Sequence, residues 1–314
     1  MLLAFTVNSF VYFGFANIYS SKILNFADFQ EQFSSGIYRY RQLSGFFLIS
    51  VYDFLGTLNL DYSIFKLKFL NPDSEPQMYI SLYILNTFFL VLTAAMMALI
   101  SETKAFIATN TEKILIISIL IFTIALSQFV IVPYDISSYF FLMLFFWLLL
   151  KYLEKSSVSN LIILAVIIAF STFNRESSAL SLSLAATLLF SKFGLKKETV
   201  FPVAVLGITF VVVYLGMRFS AETFSTNDGN LLAENFTQPK NYLGMFFWAV
   251  FFAFTLLISK DRNSTKNILL FHALSLPYIA MCFYTGILYE VRLYVPLFLS
   301  SVFLARLDPE ERSN

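Results

Sequence analysis

Residues 78–100 run for 23 positions without one charged side chain, and 114–132, 200–217 and 242–258 are uncharged as well. About 20 apolar residues in a helix cross the hydrocarbon core of a bilayer, roughly 30 Å thick, so stretches of this kind dictate what the chain folds into. Charged residues make up 13% of its 314 residues, where a soluble domain carries about 25%. Too little solvating surface remains for a water-soluble globule, and the expected fold is a single transmembrane domain over 1–314.

Apolar runs bounded by charge or turn residues lie at 2–20, 78–100, 114–132, 138–150, 160–173, 177–191, 200–217, 242–258, 268–285 and 293–305. They predict an all-α, polytopic integral membrane protein of about ten transmembrane helices. The connections 101–113, 151–159, 191–199, 259–267 and 305–314 hold 12 Lys and Arg in 50 positions, whereas the alternate set holds 9 in 98. By the positive-inside rule the denser set is cytoplasmic, which puts both termini inside. Met1 leads straight into Leu2-Leu3-Ala4-Phe5 with no basic region before it, so the first run is expected to be retained as a span. Residues 46–56 are too short and polar to cross and are expected to form an amphipathic helix on the outer interface. The outer connection 218–241, with Thr226-Asn227-Asp228-Gly229-Asn230, reads as a flexible loop.

Other classes are excluded by what is scarce. The formal charge of +1 offers no basic footprint for nucleic acid. One cysteine, Cys282, rules out an intramolecular disulfide framework, and one histidine, His272, rules out a His-rich metal site. The 39 phenylalanines are expected to face lipid or fill the core.

A charged side chain near membrane depth costs about 2.5–3.5 kcal/mol on insertion and is a functional candidate for that reason. Three outer turns carry such charges: Val132-Pro133-Tyr134-Asp135, Phe173-Asn174-Arg175-Glu176-Ser177 and Tyr289-Glu290-Val291-Arg292. Each borders a short run; 160–173 and 293–305 rise only about 21 and 20 Å as helices. These helices should end below the outer surface, leaving a recess lined by Asp135, Arg175, Glu176, Glu290 and Arg292. Plainer roles are also open to these residues. Asp135 could cap the fourth span, Asn174 or Ser177 the sixth, and Glu290 and Arg292 could form an ion pair at headgroup level. Arg175 fits such a role least, because a cation opposes the dipole at a helix N-terminus.

The first outer loop adds Asp28 and Glu31, three apart and on one face if Phe26–Phe33 is helical, with Phe26, Phe29 and Phe33 on the other. Arg39 and Arg41 follow in Tyr38-Arg39-Tyr40-Arg41 and would share a side in an extended segment. They read as a phosphate clamp or as headgroup anchors. Arginines with neighbouring carboxylates at a membrane surface suit a lipid-linked phosphate and removal of a proton from an attacking hydroxyl.

With these features the chain resembles the GT-C superfamily of membrane glycosyltransferases. The resemblance rests on a first span followed by a long outer loop with an acidic residue, on the Tyr38-Arg39-Tyr40-Arg41 run, and on the Asn174-Arg175-Glu176-Ser177 and Glu290-Val291-Arg292 turns. It implies transfer of a sugar from a polyprenyl-phosphate donor to a hydroxyl of a glycan, lipid or protein acceptor. It also implies a bacterial inner (plasma) membrane location, a site facing outward, and contact with membrane lipids rather than nucleic acid. Asp28 matches the family's first-loop acid, the general base, with Glu31 in reserve. Arg39, Arg41, Asp135, Arg175, Glu176, Glu290 and Arg292 would bind substrate. The first outer loop has neither an adjacent Asp-Glu pair nor Asp-x-Asp, so no cofactor is expected and no motif supports a divalent metal. Two other readings use the same recess: an O-antigen-type polysaccharide polymerase or ligase, and a non-enzymatic transporter or flippase of lipid-linked saccharides.

Overall fold

The computed structural model describes residues 1–14, 21–62, 74–221, 224–225 and 229–308. Among them the chain is helical throughout, with an isolated bridge between Phe106 and Leu307 in place of any sheet. Helix α1 spans Leu2–Gly14, α2 Phe26–Ser34, α3 Gln42–Thr57, α4 Pro76–Ser101 and α5 Asn110–Leu126. Then come α6 (Asp135–Glu154), α7 (Val158–Asn174), α8 (Ala179–Phe193), α9 (Lys197–Phe219) and α10 (Leu232–Thr237). The last four are α11 (Pro239–Leu257), α12 (Arg262–Leu274), α13 (Leu276–Thr285) and α14 (Val295–Leu304).

Five helices are long and apolar enough to cross a membrane: α4, α5 with its 3-10 extension to Phe129, α6, α9 and α11. The α12–α13 pair makes a sixth if counted as one span bent by 49°. The break falls at Ser275, just ahead of Pro277 in the first turn of α13, where the ring removes a backbone donor. Each of the ten apolar runs coincides with a helix or with this pair. However, α1, α7, α8 and α14 reach only about 20, 26, 23 and 15 Å.

The core forms around α4 and α6, which pack along each other, with α1 and α3 on the flank of α4 and α7 beside α6. Helix α8 packs against α9 and α12, and α14 is enclosed by α11 and α12. Short α1 is tied into the bundle by buried Asn8, whose amide donates to Thr87 Oγ1 at 2.7 Å and whose carbonyl accepts from Gln128. In an apolar setting such interhelical hydrogen bonds replace the hydrophobic drive that water would supply. Around the rim, Ile208, Val211 and Val212 of α9 and Leu243, Phe246 and Val250 of α11 are exposed, as the apolar face of a peripheral membrane helix must be.

The two sets of connections gather at separate ends. At one, Ile107 N–H donates to Arg306 O (2.8 Å), Asp308 N–H to Ala105 O (2.8 Å) and Lys260 N–H to Ala305 O (2.9 Å). Arg306 there pairs with Glu112 at 3.2 Å, and Lys192 donates to Leu153 O. Twenty-six residues of α4, about 39 Å, lead from this end to the one that carries the three charged turns.

One local expectation is corrected. The 218–241 connection is not a loop throughout, because α10 and the start of α11 occupy 232–237 and 239 onward; residues 226–228 lie outside the described set. Asn235 and Asn241, each nearly fully buried, spend their amides on backbone and on one another, Asn241 Nδ2 donating to Asn235 Oδ1 at 3.0 Å, rather than on solvent. Asn235 donates to Phe283 O (3.0 Å) and Gly286 O (2.7 Å) and accepts from Leu288 N–H (3.3 Å), while Asn241 accepts from Tyr289 N–H (3.1 Å). Residues 46–56 do lie within a helix, α3, which buries Leu48 and Leu55 against the bundle and exposes Phe46, Phe47 and Phe54.

The two asparagines pin the segment leading to Glu290, and α11 meets it at Gly244. A Cβ there would fall 1.6 Å from the Leu288 carbonyl oxygen, a contact that only backbone displacement could relieve. Gly244→Ala is therefore expected to destabilise the protein by about 1–3 kcal/mol or more. The measurement is thermal unfolding in detergent, with Gly207→Ala, which meets nothing within 4 Å, as the neutral comparison.

Candidate functional site

The three charged turns converge. Asp135 opens α6, and its carboxylate accepts from Arg175 on one oxygen and from Arg292 Nη1 at 2.7 Å on the other. Arg292 turns its Nε and Nη2 to Glu290 Oε2 at 2.9 and 2.6 Å. Beside them Arg41 grips Glu176 with two nitrogens, Nε on Oε2 at 3.2 Å and Nη2 on Oε1. Arg41, Asp135, Arg175 and Glu290 are each less than 7% exposed. Of the residues predicted to line a recess, Asp135, Arg175, Glu290 and Arg292 are thus joined by direct ion pairs, and Glu176 lies beside them in a pair with Arg41.

Helix ends and aromatic rings hold the cluster in place. Asp135 lies in the first turn of α6, and Glu176 opens the 3-10 turn that feeds α8, so both carboxylates sit at the positive end of a helix dipole. Neither works as a cap: α6 and α8 begin without a side-chain hydrogen bond. Asn174 does not cap α8 either. Its carbonyl accepts from Ser44 and from Ser137 (3.1 Å), and its amide donates to Tyr134 O at 3.2 Å, so α3, α6 and α7 are sewn together beneath the charges. The Tyr134 ring lies 4.7 Å from the Arg41 guanidinium and 5.9 Å from that of Arg175, a cation–π arrangement strengthened by desolvation. Next to Glu176, Ser138, Ser171, Ser177, Ser178 and Ser181 line a small cavity.

Arg39 and Arg41 do not share a side. Tyr38–Tyr40 is a 3-10 turn, not an extended segment. It directs Arg41 inward, within 5.1 Å of the Tyr38 ring, and leaves Arg39 over the ring of Tyr40. The alternation expected of a strand fails because the neighbouring tyrosines offer cation–π partners on either side of a tight turn. Asp28 and Glu31 occupy one exposed face of α2, as their spacing predicts, with Phe29 buried opposite; among the described residues neither forms an ion pair with an arginine of the cluster. Helix α2 packs against the turn that carries Arg41. His272 is buried with Nδ1 on Ile268 O at 3.0 Å, a packed histidine. No group of three metal-ligating side chains occurs among the described residues.

Sequence reasoning passed over Arg218. It ends α9 at 1% exposure, with Nε donating to Ser225 O (3.1 Å) and Nη1 to Tyr214 O (3.3 Å). Tyr214 and Tyr40 cover it at 3.5 and 4.5 Å from their ring centres. Only the tyrosine four residues before it, one turn back along α9, could have marked it in the sequence.

Comparison with protein-family models, with curated proteins and with solved structures finds no match to this chain.

Burial by itself would push the Glu176 carboxyl up, but the Arg41 guanidinium outweighs it and holds the group at about 2, against an ordinary 4.5. A carboxylate lowered on folding contributes stability that is complete above its ordinary value and is lost as pH falls toward the folded value. The difference in Tm between the wild type and Glu176→Gln is therefore expected to be constant above pH 5 and to shrink between pH 4.5 and 2. A difference unchanged across that window would show that the Arg41 pair does not hold the charge.

Proposed function

We propose that the chain is an integral membrane glycosyltransferase that moves a sugar from a polyprenyl-phosphate donor to a hydroxyl acceptor at the outer face of a bacterial inner membrane. In this reading the ten apolar segments cross, both termini lie inside, and the arginine end faces out. The observation that carries it is the arginine-rich cluster, with Arg175 and Arg292 sharing Asp135, the Arg41–Glu176 pair beside them and Arg218 close by, at the end of the bundle whose connections are poorest in basic charge. A cytoplasmic end would be expected to carry the opposite bias. The shortness of α7 and α14 supports a site set below the membrane surface, where a lipid phosphate can enter from the side.

The chemistry follows from charge. The acceptor oxygen attacks the anomeric carbon as its proton passes to the Asp28 carboxylate. The bond from the anomeric carbon to the phosphate oxygen breaks, and its electron pair leaves on the polyprenyl phosphate. Guanidiniums nearby stabilise that developing negative charge, the largest lever such a site has. Glu176 and Glu290 orient Arg41 and Arg292, so the donors are fixed before substrate arrives. The exposure of Asp28 on α2 leaves it open to an acceptor approaching from outside, with Glu31 one turn away.

The test is glycan structure in intact cells of a deletion strain complemented with wild type, Asp28→Asn or Arg175→Ala at matched expression. Loss of one specific sugar, restored by wild type and by neither variant, is expected, with Asp28→Asn lowering transfer by about 10²–10⁴-fold. Restoration by both variants would remove this site from the reaction. Accumulation of single repeat units in place of polymer would instead assign a polymerase.

A further inference from the structure

We infer that Arg218, and not Arg175 or Arg292, is the residue that takes the phosphate of the lipid-linked ligand. The argument is one of charge already spent. Asp135 is shared by Arg175 and Arg292, Glu290 is held by Arg292, and Glu176 is held by Arg41. These three arginines and three carboxylates neutralise one another. Arg218 lies within electrostatic reach of Arg41 and Glu176, but it has no ion pair among the described residues, and its two hydrogen bonds go to backbone carbonyls.

A guanidinium at 1% exposure without a counter-ion among the described residues is costly to keep, and a structural role is better served by a paired one. Two of its nitrogens are engaged and, among the described residues, Nη2 makes no hydrogen bond, leaving a donor edge for an oxyanion. Tyr214 and Tyr40 cover the guanidinium, which fixes its plane and favours oxygens arriving at that edge. Tyr40 belongs to the same 3-10 turn that delivers Arg41 to Glu176, so the anion would sit beside the neutral cluster instead of breaking it. The cluster then acts as a rigid wall, and Arg218 supplies the unbalanced positive charge that selects an anion.

The inference rests on the donor being a lipid phosphate, and its test separates the two claims. The purified full chain in nanodiscs is titrated with polyprenyl phosphate, phosphate-free polyprenol, phosphatidylglycerol and inorganic phosphate, for wild type, Arg218→Gln and Arg218→Lys. Wild type is expected to bind polyprenyl phosphate over polyprenol. Arg218→Gln should weaken that binding about tenfold or more, and Arg218→Lys, which keeps the charge without the planar fork, should fall between. Because an uncompensated charge is removed, Arg218→Gln should unfold at or above the wild-type Tm, in contrast to Arg175→Gln, which strands Asp135. Unchanged binding in both Arg218 variants, or a lower Tm in Arg218→Gln, would overturn the inference, the latter by showing a structural role. Phosphatidylglycerol or inorganic phosphate binding as tightly as polyprenyl phosphate would also overturn it, by removing the lipid-linked ligand. Binding through Arg218 by a protein that transfers no sugar would keep the subsite and sink the transferase.

Discussion

Everything at the charged end of this bundle depends on the carboxylate of Asp135, which receives Arg175 on one oxygen and Arg292 on the other. Two guanidiniums brought together among apolar helices repel each other and lose their hydration, and only a carboxylate between them makes the arrangement tolerable. Stranding one buried charge by removing its partner costs about 3–5 kcal/mol. The bridge therefore joins α6, the end of α7 and the segment before α14 into one unit, although 157 positions separate Asp135 from Arg292. Its position at the start of α6 adds the favourable field of a helix N-terminus, which a residue in mid-helix would not receive.

That bridge would be loose without the neutral polar groups around it. Asn174 gathers hydroxyls from α3 and α6 on its carbonyl and steadies the Tyr134 backbone with its amide, so the residue before Asp135 cannot drift. On the far side, Asn235 and Asn241 do the same for residues 283–289. Tyr139, one turn into α6, donates its hydroxyl to Arg292 O at 2.9 Å. Buried polar networks of this kind hold a geometry when every member is satisfied, and here they hold guanidiniums in fixed orientations.

How far this was legible in the sequence varies by residue. The positions of the helices followed from uncharged runs, because burial in lipid penalises charge wherever it falls. The same penalty picked out Asp135, Arg175, Glu176, Glu290 and Arg292, each set against a run too short to reach the surface. What pairs with what was not legible, since Arg41 and Glu176 are 135 positions apart and only the packing of α3 on α7 brings them together. The Tyr38–Tyr40 turn defeated an alternation argument that assumed extended backbone. Asn235 and Asn241 stood in a stretch whose composition reads as loop, and an asparagine satisfying buried backbone has the same local signature as one in a turn. Arg218 was hidden for a related reason: at the end of a long apolar helix it resembles the basic residue that ordinarily meets the headgroups.

The contrast between Arg218 and the other arginines gives the site its chemical sense. A neutral cluster of three arginines and three carboxylates is rigid but has no net charge with which to attract an anion, and breaking one of its pairs to bind a phosphate would strand the carboxylate left behind. An arginine whose charge is unspent binds without that loss. In the proposed reading, separating the two duties, so that Arg41, Arg175 and Arg292 shape the wall while Arg218 carries the attraction, would keep the donor groups fixed before a ligand arrives. Preorganised donors need no rearrangement when negative charge develops on a leaving phosphate, and that difference is where electrostatic catalysis arises.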